Sequence, residues 1–305
     1  MSPTRTTTVF EDLSRLAAAA HRSAFKAQLW SRAEEIRNYL LSFELENAPP
    51  DLIPNYVSDA LPRFLRTLEF IPLPLSGPVL EVGSNPYLFH LLLYRIFPQI
   101  VIEGCNFFDH NIFAAGGGTL TQSLESATFG ERYSFSSQLC NLEVCTEYPY
   151  VSDRFELVFF CETLEHLIVD PLAVFSRLWR ILQPGGHLLV TVPNAVRLTN
   201  IALMLEGKNF FDLYSSNGPH GRHNREYTLE ELTQLLTQNQ FHIVTAETWD
   251  RCDYDLVTIW SYDYTGHSHK LPRTRSTVLE VLRSCNASTE NRGDNLYVLA
   301  QKPMI

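Results

Sequence analysis

At 305 residues, with 45% hydrophobic and 19% charged side chains, the chain has an ordinary globular composition, which excludes disordered and fibrous classes. Its formal charge of -10 argues against a broad nucleic-acid or anionic-membrane surface, because phosphate binding needs clustered Lys and Arg. The six cysteines include no Cys-x-x-Cys pair and lie partly in apolar runs, as free thiols in a reducing compartment do.

The opening residues lack the apolar core of a secretory signal, and no apolar run approaches the roughly 20 residues that span a bilayer. These features predict a soluble cytoplasmic protein with no membrane partner. Residues 9–70 read as mostly helical, with Leu29, Ala33, Ile36 and Leu40 recurring at helical spacing. Pro49, Pro50, Pro54, Pro72 and Pro74 then mark connections, so residues 1–74 are expected to form an N-terminal helical extension.

From Pro78 onward strands and helices alternate. Val79 to Val82 is the first strand, and it runs through Gly83-Ser84-Asn85-Pro86-Tyr87 into a helix from Leu88 to Phe97. Further strands fall at 100–105, 157–161, 187–192, 241–245 and 296–300, with Gly116-Gly117-Gly118 read as a flexible loop. Asp170 and Pro171 open a helix that Pro184-Gly185-Gly186 stops, and Thr228-x-x-Glu231 is a capping box. This order predicts an α/β, Rossmann-like, doubly wound and mostly parallel seven-stranded sheet with helices on both faces.

Three stretches in this order carry a resemblance: Leu80-Glu81-Val82-Gly83, the run from Phe155 to Leu167, and the run from Ile181 to Asn194. Together they resemble the class I S-adenosylmethionine-dependent methyltransferases over residues 75–302, which implies a methyltransferase domain at 75–305. The stretch Gly218 to Thr228 is most similar to members that methylate sugars or related small metabolites. The resemblance implies Glu81 at the cationic methionine end of the cofactor and Gly83, Ser84 and Asn85 in the turn beside it, with Cys161 ending the later strand. Asn106 stands where an acid usually holds the ribose, with Asp109 nearby as compensation. Asn141 stands where an Asp accepts from the adenine amino group, and Leu142 would pack on the ring. Ser84-Asn85-Pro86 replaces the usual further glycines, which predicts a stiffer turn.

Glu162-x-x-Glu165-His166 is the sharpest chemical feature. On a helix beginning at the strand end these three side chains would share a face. The same pattern occurs in small-RNA 2'-O-methyltransferases and quinone-pathway O-methyltransferases, where it resembles a divalent-metal site completed by a later histidine, here His220 or His223. The expected metal set is therefore Glu162, Glu165, His166 and His223, and the alternative is a metal-free site in which acid and imidazole simply hydrogen-bond. His166 and His223 are the candidate bases, with Glu162 orienting or replacing one of them. Residues 195–227 are read as a substrate lid, with Leu203, Met204, Leu205, Phe210 and Phe211 as an apolar cover; His267 and His269 read as solvated. The expectation is an O-methyltransferase acting on a small polar acceptor, with a non-catalytic scaffold and a metal-assisted RNA 2'-O-methyltransferase as alternatives and the oligomeric state left open. A nicotinamide oxidoreductase is disfavoured because Gly-x-Gly-x-x-Gly is absent from the first turn.

Overall fold

The computed structural model describes residues 3–108, 111, 113–214, 218–250, 260–262, 268–270 and 273–304. Four helices lead: α1 (Pro3–Ala18), α2 (Arg22–Ser31), α3 (Ala33–Leu40) and α4 (Leu52–Phe70), with the two-residue strand β1 (Glu44–Leu45) between the last two. The predicted helical stripe is real but crosses a break at Arg32, so Leu29 ends up on α2 and Ile36 and Leu40 on α3, all buried.

Then follow β2 (Val79–Val82), α5 (Leu88–Ile96), β3 (Ile102–Asn106), β4 (Gly116–Ser126), β5 (Glu131–Cys140) and β6 (Phe155–Cys161). A 3-10 turn at Leu164–His166 leads to α6 (Leu172–Ile181), β7 (Leu182–Pro193), α7 (Leu198–Leu205) and, after a second 3-10 turn at Pro219–Gly221, α8 (Leu229–Gln238). The chain closes with β8 (His242–Trp249), the small ladder β9 (Trp260–Tyr262) and β10 (Ser268–Lys270), α9 (Arg275–Ser284) and β11 (Asn295–Gln301).

The sheet has nine strands in the order β1-β4-β5-β3-β2-β6-β7-β11-β8, not seven. It is mixed: β5, β3, β2, β6 and β7 run parallel, while β4, β1, β11 and β8 join by antiparallel pairings. Three of its strands have no counterpart in the sequence reading: the two-residue β1 and the hairpin β4–β5. Strand β4 begins Gly-Gly-Gly-Thr-Leu-Thr-Gln-Ser, a run without alternating apolar residues, so periodicity could not reveal it. The glycine triplet opens β4 rather than forming a free loop, and the ladder shifts register between Gly116 and Thr119.

Period-two alternation splits the central strands between two cores. Val79, Leu157, Phe159, Leu189 and Tyr297 face α1–α5, whereas Leu80, Val158, Phe160, Leu188 and Val298 face α6 and α8. The N-terminal helices and α5 thus share one core with that face of the sheet. Asp170 accepts from the Leu172 N–H at the start of α6, and the Thr228–Glu231 capping box is formed in both directions. Helix α6 stops at Ile181, before Pro184, because Leu182 already pairs with Phe155. Among the described residues no helix is long and apolar enough to cross a membrane.

Candidate active site

Two cavities lie beyond the carboxyl ends of the parallel strands, where open α/β sheets place ligands. The larger, about 410 Å³, is lined by Glu81, Cys161, Glu162, Glu165, His166, Thr191, Arg197, His223 and the inner side of α4. The smaller, about 270 Å³, is lined by Cys105, Asn106, Phe107, Phe108, Asn141, Leu142, Glu143 and His220. Val82, Gly83, Asn85, Glu162, Thr163 and His166 line both.

The first turn is built for close approach. Gly83 has φ +76°, and a Cβ there would sit 2.7 Å from Thr163 Oγ1, so the backbone itself must form the wall. Glu81 is buried, with Oε2 3.0 Å from His90 Nδ1; burial raises its pKa, with His90 opposing. Its carboxylate is therefore shared with a neighbour that sequence reasoning did not single out, instead of serving only a methionine end. Ser84 lies under the turn, outside both linings, and accepts from Asn106 Nδ2.

Asn106 differs most from expectation. Its Oδ1 accepts from the Asn85 N–H at 3.1 Å, and Nδ2 reaches Ser84, Ser137 and Tyr87 at 2.9, 2.9 and 3.2 Å. Both amide hydrogens are committed inside the protein, so this side chain braces the turn that lacks glycines. Asn141 likewise uses Oδ1 to accept from the Glu143 N–H at 3.0 Å, shaping the next loop. Leu142 lines the smaller cavity as expected, and Phe107 and Phe108 add aromatic wall directly after β3. Asp109, His267 and Cys252 lie outside the described residues, as does the side chain of His269.

The Glu162-x-x-Glu165-His166 face does not form on a helix. Glu162 has φ +47°, and only Leu164–His166 make a 3-10 turn. Glu162 turns instead toward the sheet and α4, where its carboxylate accepts from Thr191 Oγ1 at 2.8 Å, Asn295 Nδ2 at 3.1 Å and Arg63 Nη1 at 2.9 Å. It therefore leaves the expected four-ligand set. Glu165, His166 and His223 do converge, each offering one ligand atom with all three within 4.8 Å of one another.

The two histidines are held differently. His166 donates Nδ1–H to the Arg222 carbonyl at 3.0 Å, which leaves Nε2 as the bare nitrogen. Burial and the neighbouring His223 push its pKa below the ordinary value. His223 Nδ1 lies 3.2 Å from Glu226 Oε1, and the other Glu226 oxygen accepts from Arg197 at 2.7 Å and Asn200 at 2.8 Å. Burial works against the Glu226 charge, yet His223, Arg197 and Asn200 outweigh it and hold the carboxyl below its usual value. Both Nε2 atoms stand 3.9 Å from Glu165 Oε1. Glu165 is almost fully buried and its Oε2 has no hydrogen-bond partner among the described residues; burial first, and then the Glu162 charge, raise its pKa well above the usual carboxyl range.

His220 belongs to the other cavity. Its Nε2 is 2.5 Å from Glu143 Oε2, while Glu143 Oε1 accepts from the Ile168 and Val169 N–H groups at 2.6 and 2.8 Å. Cys161 lines the larger cavity, and burial raises its thiol pKa. None of Leu203, Met204, Leu205, Phe210 and Phe211 lines either cavity: Leu203 and Phe210 pack with Val278, Leu279 and Leu282 of α9, and Met204, Leu205 and Phe211 are exposed. The sequence reading singled out no residue of α4 for the site, yet Tyr56, Asp59, Arg63 and Thr67 recur every three or four residues and form the far wall of the larger cavity. That polar stripe at helical spacing was the available signal.

A family model described as a methyltransferase domain matches residues 53–246, which is more than half of the chain. The chain belongs to this methyltransferase family. The class I, S-adenosylmethionine-dependent assignment expected from the motifs therefore holds, and the two joined cavities with the Gly83 turn suit that cofactor. The match begins inside α4, so the helix that walls the larger cavity is part of it.

No curated protein sequence matches this methyltransferase. Among solved structures, a Haloferax volcanii methyltransferase in complex with the Trm112 methyltransferase activator is similar at 13% identity and a TM-score of 0.49, over 82% of this chain and 92% of that one. An S-adenosylmethionine-dependent methyltransferase from Archaeoglobus fulgidus is similar at 15% identity and a TM-score of 0.46, over 81% and 94%. Haemonchus contortus phosphoethanolamine N-methyltransferase 2, solved with S-adenosylmethionine, is similar at 14% identity and a TM-score of 0.43, over 79% and 52%.

Proposed function

We propose that this methyltransferase moves a methyl group to a hydroxyl of a small polar acceptor, such as a sugar or related metabolite, held in the larger cavity. The observation that carries the reading is the His223–Glu226 pair. A carboxylate fixed by Arg197 and Asn200 orients the imidazole, so that Nε2 faces the cavity as a base. The bound cofactor supplies an electrophilic methyl group; the acceptor oxygen donates the electron pair that forms the new C–O bond, and the S–C pair returns to sulfur. The acceptor's proton passes to His223 Nε2, and the resulting imidazolium faces Glu226. His166, with only a carbonyl behind it, is the neutral companion that shapes the site. Glu162, with both oxygens already accepting hydrogen bonds, serves as a fixed charge and not as the base.

The test is labelling with methyl-tritiated S-adenosylmethionine in a cell extract separated into small-molecule and RNA fractions. Label should enter the small-molecule fraction, and His223→Gln should reduce it by about 100-fold or more while cofactor binding stays normal. Label confined to RNA, or an unaffected variant, would refute the reading. A wild-type protein that binds no cofactor would instead support a scaffold role.

A second reading of the same corner is a divalent ion on Glu165, His166 and His223, favoured by the partnerless Glu165 Oε2 and by Nε2 atoms left bare on both rings. Such an ion would lower the pKa of an acceptor hydroxyl. Elemental analysis of the purified protein and assays in chelator decide it: full activity without metal removes this reading.

A further inference from the structure

The two cavities meet at a seam, and the chemistry puts the reacting sulfur there if the nucleoside end occupies the smaller cavity and the acceptor the larger. Val82, Gly83, Asn85, Glu162, Thr163 and His166 form that seam. Of these, only Glu162 and His166 can carry charge. His166 is tied through Nδ1–H to the Arg222 carbonyl, and Glu162 is the one carboxylate among these seam residues.

That charge is partly cancelled from one side. Thr191 and Asn295 are neutral donors, which fix the carboxylate without changing its sign. Arg63 is a full cation, 2.9 Å away, and it reaches Glu162 from α4 as part of the larger cavity's wall alone. The arginine is tempered in turn by Asp59, 3.1 Å from its other amino group. With side chains 13% and 23% exposed, Arg63 and Glu162 interact with less solvent screening than a surface pair.

We propose that Glu162 and Arg63 form a charge balance that reads the methylation state of the cofactor, Glu162 attracting the sulfonium cation and Arg63 opposing it. The proposal rests on the S-adenosylmethionine reading of the two cavities. Substrate and product cofactor differ at this point by one methyl group and one positive charge. Before transfer, Glu162 faces two cations; after transfer, sulfur is a neutral thioether and Arg63 alone remains. The balance keeps the attraction for the charged donor moderate and leaves the neutral product with no ionic partner at the seam. Arg63 is thereby a specificity-determining residue contributed by the helix that also walls the acceptor cavity.

The experiment is isothermal titration of the full chain with S-adenosylmethionine and with S-adenosylhomocysteine, read as the ratio of their two dissociation constants. Arg63→Gln should lower the S-adenosylmethionine to S-adenosylhomocysteine ratio by about fivefold or more, and Glu162→Gln should raise it by a similar factor. Arg63→Lys should keep the wild-type ratio. Asp59→Asn, at a side chain 60% exposed and so safe for folding, should raise it by unmasking Arg63. A merely structural role would weaken both compounds together and leave every ratio unchanged, which overturns the proposal. Should Arg63→Gln or Glu162→Gln fail to fold, the Asp59→Asn ratio decides alone. If the wild-type chain binds neither compound, the cofactor reading falls and the proposal with it; if it binds both with fixed ratios, only the proposal falls.

Discussion

Glu143 shows how one side chain can join three parts of the site. It accepts from two backbone N–H groups after the 3-10 turn and meets His220 at the rim of the smaller cavity. Burial opposes its charge, but His220 and the two N–H groups prevail and hold its pKa below the ordinary 4.5. A carboxyl whose pKa is lowered on folding adds stability that is complete above the unfolded value and lost as pH falls through the folded one. The expected outcome is that thermal stability falls below pH 4.5 and that Glu143→Gln flattens this acid limb; pH-dependent melting of both proteins checks it. Unaltered acid sensitivity in the variant would assign the limb to other carboxyls. At this scale the sequence reading was partial. Gly83, Leu142, His166 and His223, which motif spacing marks, all line the cavities, whereas the hydrogen bonds that hold Asn106 and Glu162 come from strands distant in sequence, which spacing does not show.

Helix α4 was visible as a helix but not as a wall. Its apolar residues, Leu61, Phe64, Leu65 and Leu68, face the core, and its polar stripe faces the cavity. Only the position of the sheet makes the second face meaningful. Leu68→Ala, at a fully buried site, should destabilise the protein by about 3 kcal/mol in urea titration. A loss below about 1 kcal/mol would mean that the helix is held chiefly by its ion pairs. Helix α8 offers the contrasting local case. Its capping box was readable from Thr228 and Glu231 alone, and Thr228→Ala should cost about 1 kcal/mol. The β4–β5 hairpin shows a mixed case: the first half of β4 is polar and exposed and carries no strand pattern, whereas β5 alternates Tyr133 and Phe135 with exposed Arg132, Ser134 and Ser136, a short signal that was passed over.

At the scale of the molecule, β2, β3, β6, β7, β8 and β11 were legible as strands, whereas β1, β4 and β5, which extend the sheet beyond β3, were not. The core facing α1–α5 contains Phe10, Leu29, Ile36 and Leu40 together with Phe159 and Leu189, so the sheet's apolar face is covered only when the N-terminal helices are present. A chain starting at residue 51 should therefore be insoluble or bind hydrophobic dye, while the full chain stays soluble and dye-free. Soluble, cofactor-binding material would show that the remaining helices suffice. The segment from Gly218 to Glu226 has a consequence of another kind, in the timing of the cycle. It is fastened at the smaller cavity by His220 to Glu143 and at the larger by Arg222 to His166, while Asn224 holds the His166 carbonyl. Any movement that lifted this segment would unseat His166 and shift His223 together. Under the proposed function, exchange of the cofactor and chemistry would then be mutually exclusive moments, with His223 set as base only while the segment is seated.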